Sequence, residues 1–196
     1  MALTTYTAGE VLTAASLNDN LAYAVTVPAA VPGGLVFLTA VTFTSQTTVA
    51  FANSLFGATY QNYQVYLECD TDGALSANWT MQLRTNAGVN ASAQYIGGVI
   101  GTSLGGATVN VGSSSLTSFN LGSVTPDCNN IAMTVFNPFV NVRNTTWSGT
   151  TFNNGTYDLG GAFGGTLNDV GAYTGLQFNF AAAVTGTYRV YGLADS

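Results

Sequence analysis

The sequence contains no histidine and no lysine, and its cationic side chains are Arg84, Arg143 and Arg189. Histidine is the usual general base near neutral pH, and lysine supplies Schiff bases and phosphate contacts, so this chain lacks both kinds of chemistry. Nucleic-acid binding requires clustered positive charge that displaces counterions, whereas the formal net charge here is −6. We therefore expect no nucleic-acid partner.

Long apolar runs are also missing. A membrane-spanning helix needs about 18 or more consecutive apolar residues, and no segment of the sequence reaches that length. The opening Met-Ala-Leu-Thr-Thr-Tyr-Thr lacks the positive start and the apolar run of a secretory signal. These features predict a chain that is made in a cytoplasm and has no membrane partner.

Cysteine is scarce, occurring only as Cys69 and Cys128 without the CxxC spacing of metal or redox motifs. The pair is therefore interpreted as two buried free thiols. The segment Asp70-Thr71-Asp72-Gly73 begins like a calcium-binding loop, but no nearby glutamate completes that pattern. A solvated hairpin tip is the favoured interpretation, and the sequence predicts neither a bound metal nor a cofactor.

An enzyme built from this sequence would have to work with carboxylates alone. Two suitably separated carboxyl groups can hydrolyse a glycosidic bond. The candidates are Glu68, Asp70, Asp72, Asp127, Asp158 and Asp169. Only the first three cluster in the sequence, so we expect a protein without enzymatic activity.

Charged residues make up 6% of the 196 residues, against roughly 25% in ordinary soluble domains. A hydrophobic fraction of 47% and an aromatic content of 12% nevertheless argue against disorder. Because few side chains change protonation between about pH 5 and pH 9, stability should depend little on pH in that range. The composition predicts one folded domain with a small appendage.

Residues 1–33 differ from the rest of the chain and form the predicted appendage. Thr13 can cap a short helix that continues to Val25, with apolar residues spaced by four at Leu17, Leu21 and Val25. The two prolines and paired glycines of residues 27–34 predict an extended linker. We therefore divide the chain into an anchor helix with linker, 1–33, and a β domain, 34–196.

From Leu35 onward, short segments rich in Val, Thr, Phe and Tyr alternate with Gly, Asn and Ser. This pattern is typical of an all-β protein, and we expect an antiparallel β-sandwich of jelly-roll type. Strands are predicted at 36–43, 47–51, 63–69, 79–84, 92–100, 107–111, 115–121, 130–136, 145–152, 171–180 and 186–193. The glycine-rich stretch 154–169 is predicted to be a long exposed loop.

The clearest alternation lies in the strand 63–69. Tyr63, Val65, Leu67 and Cys69 share one face of it, which places Gln64, Tyr66 and Glu68 on the other face. Elsewhere, aromatic residues in predicted loops could stack on sugar rings, although most aromatics of a sandwich belong to its core. The candidates for such surface binding are Trp79, Trp147, Tyr157 and Tyr173.

The segment 6–19, Tyr-Thr-Ala-Gly-Glu-Val-Leu-Thr-Ala-Ala-Ser-Leu-Asn-Asp, resembles a leader found at the start of tailed-bacteriophage virion structural proteins. Fibre and appendage subunits carry it most often. The closing segment 186–193, Gly-Thr-Tyr-Arg-Val-Tyr-Gly-Leu, is similar to the last strand of many such proteins. The middle of the chain resembles them in style only.

The resemblance implies a non-enzymatic virion protein whose leader anchors it to the particle while the β domain projects outward. The residues assigned to anchoring are Tyr6, Gly9, Leu12, Thr13, Leu17, Leu21 and Val25. The expected partners are other virion proteins, two further copies in a homotrimer, and a glycan of the host surface. A capped helix packed on its own domain is the alternative interpretation of the leader.

Three functions remain open at this point. The first is a short fibre or appendage subunit, and the second is a decoration protein that reinforces the capsid shell. The third, from a different class, is a carbohydrate-binding module without a role in a virion. The sequence separates the first two poorly, because both would use a charge-poor β domain.

Overall fold

The computed structural model describes residues 34–72, 78–102, 108–123, 129–153 and 160–194. The helix, linker and anchoring residues predicted within 1–33 lie outside this part of the chain.

The described residues form eleven β-strands and contain no helix. The strands are β1 Leu35–Ala50, β2 Asn62–Asp72, β3 Asn78–Thr85, β4 Gly88–Val89, β5 Tyr95–Thr102, β6 Thr108–Leu116, β7 Phe119–Ser123, β8 Asn129–Phe136, β9 Thr145–Asn153, β10 Gly160–Leu167 and β11 Gly175–Leu193. The all-β prediction is therefore confirmed for these residues.

All strand pairs are antiparallel, and they belong to one sheet with the order β4-β3-β11-β2-β8-β9-β10-β5-β6. In addition, β1 pairs with β11 and β7 pairs with β3. The sheet curls, since β7, near one end of this order, also lies against β5 and β6 at the other end. The curl encloses the core.

The strand pairing joins the described strands in one sheet and does not divide them into the two sheets expected for a sandwich, because two long strands run through the structure. β11 pairs with β3 along residues 175–179 and with β2 along residues 184–193, while β1 accompanies both parts. The segments 171–180 and 186–193, predicted as separate strands, thus contribute to one strand. Bulges bend both strands at the same level, near Ser45, which has a φ of 52°, and between Thr185 and Gly186.

The core is almost entirely apolar and rich in aromatic rings. Trp147 packs edge to face on Phe119, with ring centroids 5.0 Å apart, and lies near Tyr95 at 6.0 Å. In a second group, Phe51 stacks on Tyr188 at 3.9 Å. The buried polar side chains of the described residues are those of two threonines, Thr145 and Thr174, so burial of apolar surface dominates the stability of this fold.

The prediction of an exposed loop over 154–169 is wrong for residues 160–167. These residues form β10, which lies inside the sheet between β9 and β5, and its Phe163 and Leu167 are buried. The glycines that suggested a loop instead allow close packing. A Cβ atom at Gly165 would lie 2.6 Å from the carbonyl oxygen of Ile96 and 2.8 Å from the ring of Trp147.

Candidate functional site

The face of the sheet opposite the core carries the candidate site. In β2, the side chains of Tyr63, Val65 and Leu67 are buried, so the intervening Tyr66 and Glu68 point to the outer face. This confirms the division of faces predicted for the strand 63–69. Register then places Ala132 of β8 opposite Tyr66.

A groove with a volume of about 580 Å³ crosses this outer face over β2, β8 and β9. The outward side chains that line it are those of Tyr66, Glu68, Asp70, Asn130, Ala132 and Thr150. Its floor is low because Ala132 and Thr150, which lie opposite each other in register, are small. We call this feature the outer-face groove.

Tyr66 forms one wall of the outer-face groove, and two further aromatic rings support it. The Tyr66 ring contacts Tyr191 of β11 edge to face, with centroids 5.9 Å apart and an interplanar angle of 89°. Tyr191 in turn contacts Phe37 of β1 edge to face at 5.6 Å. These contacts fix the orientation of the Tyr66 ring, which presents an apolar surface with a polar hydroxyl tip.

An ion pair lies at the margin of the groove. The Arg189 Nη1 atom is 2.6 Å from Glu68 Oε2, and both side chains are substantially exposed, at 38% and 50%. The hydrogen bond to Glu68 and the attraction of its charge raise the pKa of Arg189 further above its ordinary value. Exposed pairs of this kind add little stability, so this one mainly places N–H donors and carboxylate acceptors next to each other.

A second depression continues the groove along the same face. It has a volume of about 460 Å³ and is lined by Gly97, Gly98, Ile100, Gly112, Ala162, Phe163 and Gly164. Thr150 at the end of the outer-face groove lies opposite Ala162 at the start of this depression. From Tyr66 on β2 to Ile100 on β5 there are four interstrand steps, or about 19 Å.

No family model matches the chain, and neither a curated protein nor a solved structure matches it. The functional interpretation therefore depends on the residues and geometry of the chain itself.

Three of the four aromatic residues predicted to bind at the surface are in the core. Trp79, Trp147 and Tyr173 are only 1%, 2% and 1% exposed, so the prediction that they stack on external sugar rings is wrong. The apolar area of these rings is large enough that burial decides their position. Tyr157, the fourth candidate, lies outside the described residues.

Tyr173 instead belongs to a polar network that joins the loop after β4 to the loop after β10. The Asn90 amide donates to Asp169 Oδ2 at 2.9 Å and to the Tyr173 hydroxyl at 2.8 Å, and that hydroxyl donates to Asp169 at 3.1 Å. The Tyr95 hydroxyl donates to the Asn90 carbonyl and accepts the Leu83 N–H. Asp169, one of the candidate catalytic carboxylates, is thus part of a structural contact.

We expect the free energy of unfolding to stay constant from about pH 5 to pH 9 and to fall above pH 10. Burial raises the pKa of Tyr173 from 10.0 to about 12, and burial likewise raises the pKa values of Tyr63, Tyr95 and Tyr188. Because the folded state favours the neutral phenols, their contribution is complete below pH 10 and is lost as pH rises toward the folded pKa values. Urea unfolding at a series of pH values, followed together with tyrosinate absorbance, measures this dependence.

Tyr173→Phe serves as the control in this titration. The variant should lose about 1 kcal/mol of stability at neutral pH, because Asn90 loses one acceptor, and should show a shallower alkaline decline. A fall in stability that is complete below pH 9 would contradict the assignment to buried tyrosines.

The remaining candidate carboxylates and the two cysteines lie in different parts of the chain. Glu68 and Asp70 line the outer-face groove, while Asp127, Asp158, Cys128 and the side chain of Asp72 lie outside what the structure describes. Cys69 is buried, as predicted. Among the described residues, no group of three or more Cys, Asp or Glu side chains is placed to hold a metal ion, and no helix is long and apolar enough to cross a membrane.

The sequence did not single out the groove residues Tyr66 and Asn130, nor Arg189 at its margin. One signal was available, since alternation in the strand 63–69 already placed Tyr66 and Glu68 away from the core. The missing information was which strands lie next to β2. Asn130 and Arg189 come close to Tyr66 only through pairing with β8 and β11.

Proposed function

We propose that this chain is a non-enzymatic structural subunit of a tailed-bacteriophage particle. The resemblance of residues 6–19 to a virion leader carries this proposal. In the proposal, the chain is made in the host cytoplasm, resides in the virion and forms a short fibre or projecting appendage. Its N-terminal segment anchors it, and its β-rich part serves as a jelly-roll-like head that contacts the host surface.

The start of β1 supports an assembly role. Among the described strands, β1 pairs only with β11, so one edge of a strand of 16 residues has no described neighbour. Leu35 and Phe37, immediately after the proposed anchor, are 54% and 57% exposed. An exposed edge with apolar side chains is a favourable surface for another chain.

The charge-poor composition also suits repeated packing of identical subunits. Contacts between copies can bury amide, hydroxyl and apolar groups without burying unpaired charges. We therefore include a homotrimer in the proposal, in line with the three-fold symmetry implied by the leader resemblance. A decoration protein of the capsid shell remains the alternative.

Substituting aspartate for Leu17 and Leu21 should abolish incorporation into particles, because charge on the apolar face of the proposed anchor helix would prevent it from docking. Incorporation is measured by mass spectrometry of purified particles. Ser16→Asp, Tyr23→Asp adds the same two charges on the opposite side of the proposed helix and is the matched control, which should incorporate normally.

Normal incorporation of the Leu17→Asp, Leu21→Asp variant would reject the anchor. The number of copies per particle separates the two virion roles. A number that follows the symmetry of the whole shell indicates decoration, whereas a much smaller number indicates an appendage. Absence of the chain from purified particles would reject both roles.

A further inference from the structure

We infer that the outer-face groove is a binding site for a neutral oligosaccharide, with Tyr66 as the stacking surface. This inference rests on the proposed function in one respect, since it names the class of host-surface molecule that the head would contact. The site itself is argued from the groove residues and can be tested on the isolated chain.

The first argument is the aromatic wall. The apolar face of a sugar ring packs on an aromatic ring, and the fixed orientation of such a ring lowers the entropy lost on binding. Tyr66 lines the groove and is held edge to face by Tyr191. The low floor at Ala132 and Thr150 leaves space beside the Tyr66 ring for a flat ligand.

The second argument is the set of hydrogen-bonding groups around that space. Sugar hydroxyls both donate and accept, so a site for them needs both kinds of partner. Arg189 offers donors only, Glu68 and Asp70 offer acceptors, and the amide of Asn130 and the hydroxyl of Thr150 offer both. All but Arg189 line the groove, and Arg189 is bonded to Glu68 at its margin.

The third argument is charge, which favours a neutral ligand. Glu68 and Asp70 place two carboxylates in the groove, and one cation, Arg189, lies at its margin and is bonded to Glu68. An acidic saccharide would meet like charges there, at a cost in binding energy. Sugars without carboxylate or sulfate groups avoid this repulsion and can still use every donor and acceptor.

The fourth argument concerns the alternatives. A peptide that binds by adding a strand needs a free strand edge, but β2, β8 and β9 each pair with a neighbour on both sides. The second depression extends the groove to a length of about 19 Å across the strands. An elongated ligand such as an oligosaccharide fits this shape, lying across the strands rather than along them.

The test uses the full chain on a glycan array of neutral glucan, mannan and galactan oligosaccharides, with uronic- and sialic-acid-containing oligosaccharides as the acidic set. Hits are confirmed by isothermal titration calorimetry. We expect binding to at least one neutral oligosaccharide and none to the acidic set. Tyr66→Ala should weaken binding at least about tenfold by removing the stacking surface.

Two further variants keep the test decisive. The side chain at position 132 lies on the outer face, opposite Tyr66, so the phenylalanine of Ala132→Phe should fill the groove without disturbing the core. Oligosaccharide binding should be lost, while the circular dichroism spectrum stays unchanged. Val142→Ala shortens an apolar side chain that is 75% exposed and lines neither the outer-face groove nor the second depression, so its affinity should match that of the unaltered chain.

The inference is overturned if no neutral oligosaccharide binds, if only acidic ones bind, or if Tyr66→Ala and Ala132→Phe leave affinity unchanged. It is also overturned if Ala132→Phe dissociates an oligomer, because the groove would then hold a second copy of the chain. Particle incorporation separates the two proposals. Groove variants should incorporate normally, and the leader variant that fails to incorporate should still bind the oligosaccharide.

Discussion

Replacing Trp147 by alanine should lower the free energy of unfolding by about 3–5 kcal/mol. Trp147 is 2% exposed and contacts Phe119 edge to face with centroids 5.0 Å apart. Truncation leaves a cavity that the neighbouring rings of Phe119 and Tyr95 cannot fill without moving several strands. Urea unfolding followed by circular dichroism measures the loss.

Two control variants give this experiment its meaning. Trp147→Phe should cost much less, because an aromatic ring remains and the indole Nε1 has no hydrogen-bond partner among the described residues. Val142→Ala shortens a side chain that is 75% exposed and should change stability by no more than about 0.5 kcal/mol. A loss below about 1 kcal/mol for Trp147→Ala would contradict its place in the core.

Two adjacent glycines of β10 should respond differently to substitution by alanine. Gly165→Ala should destabilise the protein by about 1–3 kcal/mol, because its Cβ would lie 2.6 Å from the backbone oxygen of Ile96 and 2.8 Å from the Trp147 ring. Backbone cannot move aside as a flexible side chain can. The comparison again uses urea unfolding.

Gly164→Ala is the matched control from the same strand. Its Cβ would point to the outer face, where the nearest atom is the Trp147 carbonyl oxygen at 3.4 Å, an ordinary contact. Because alanine restricts the unfolded chain more than glycine does, this variant should be neutral or gain about 0.5–1 kcal/mol. Equal losses for both variants would show that strand propensity, rather than close packing, governs β10.

The pattern of side chains within one strand could be predicted from the sequence, as β2 demonstrates. Tyr63, Val65 and Leu67 were assigned to one face by their spacing, and the structure buries all three. A period of two follows from the geometry of any extended strand, so it needs no knowledge of neighbours. The all-β class follows from the same local signal, repeated along the chain.

The presence of β10 as a strand inside the sheet could not be predicted from the local pattern of residues. Its Gly-Gly-Ala-Phe-Gly-Gly pattern has the composition of a loop, yet the strand lies between β9 and β5. Glycine is required at Gly165 because Trp147 and Ile96 approach it from neighbouring strands. Neither neighbour is close in sequence, so local propensity gives the opposite prediction.

By itself, then, the sequence determined the antiparallel all-β character, the alternation of faces in individual strands and the scarcity of ionisable groups. The tertiary structure decided which strands are neighbours, and with that the burial of Trp79, Trp147 and Tyr173 and the assembly of the outer-face groove. The groove is lined by Tyr66, Asn130 and Thr150 and has Arg189 at its margin, and of the four strands that carry these residues only β8 and β9 are consecutive along the chain. Strand pairing over such separations depends on how the whole core packs, because no local pattern of residues specifies the partner of a strand.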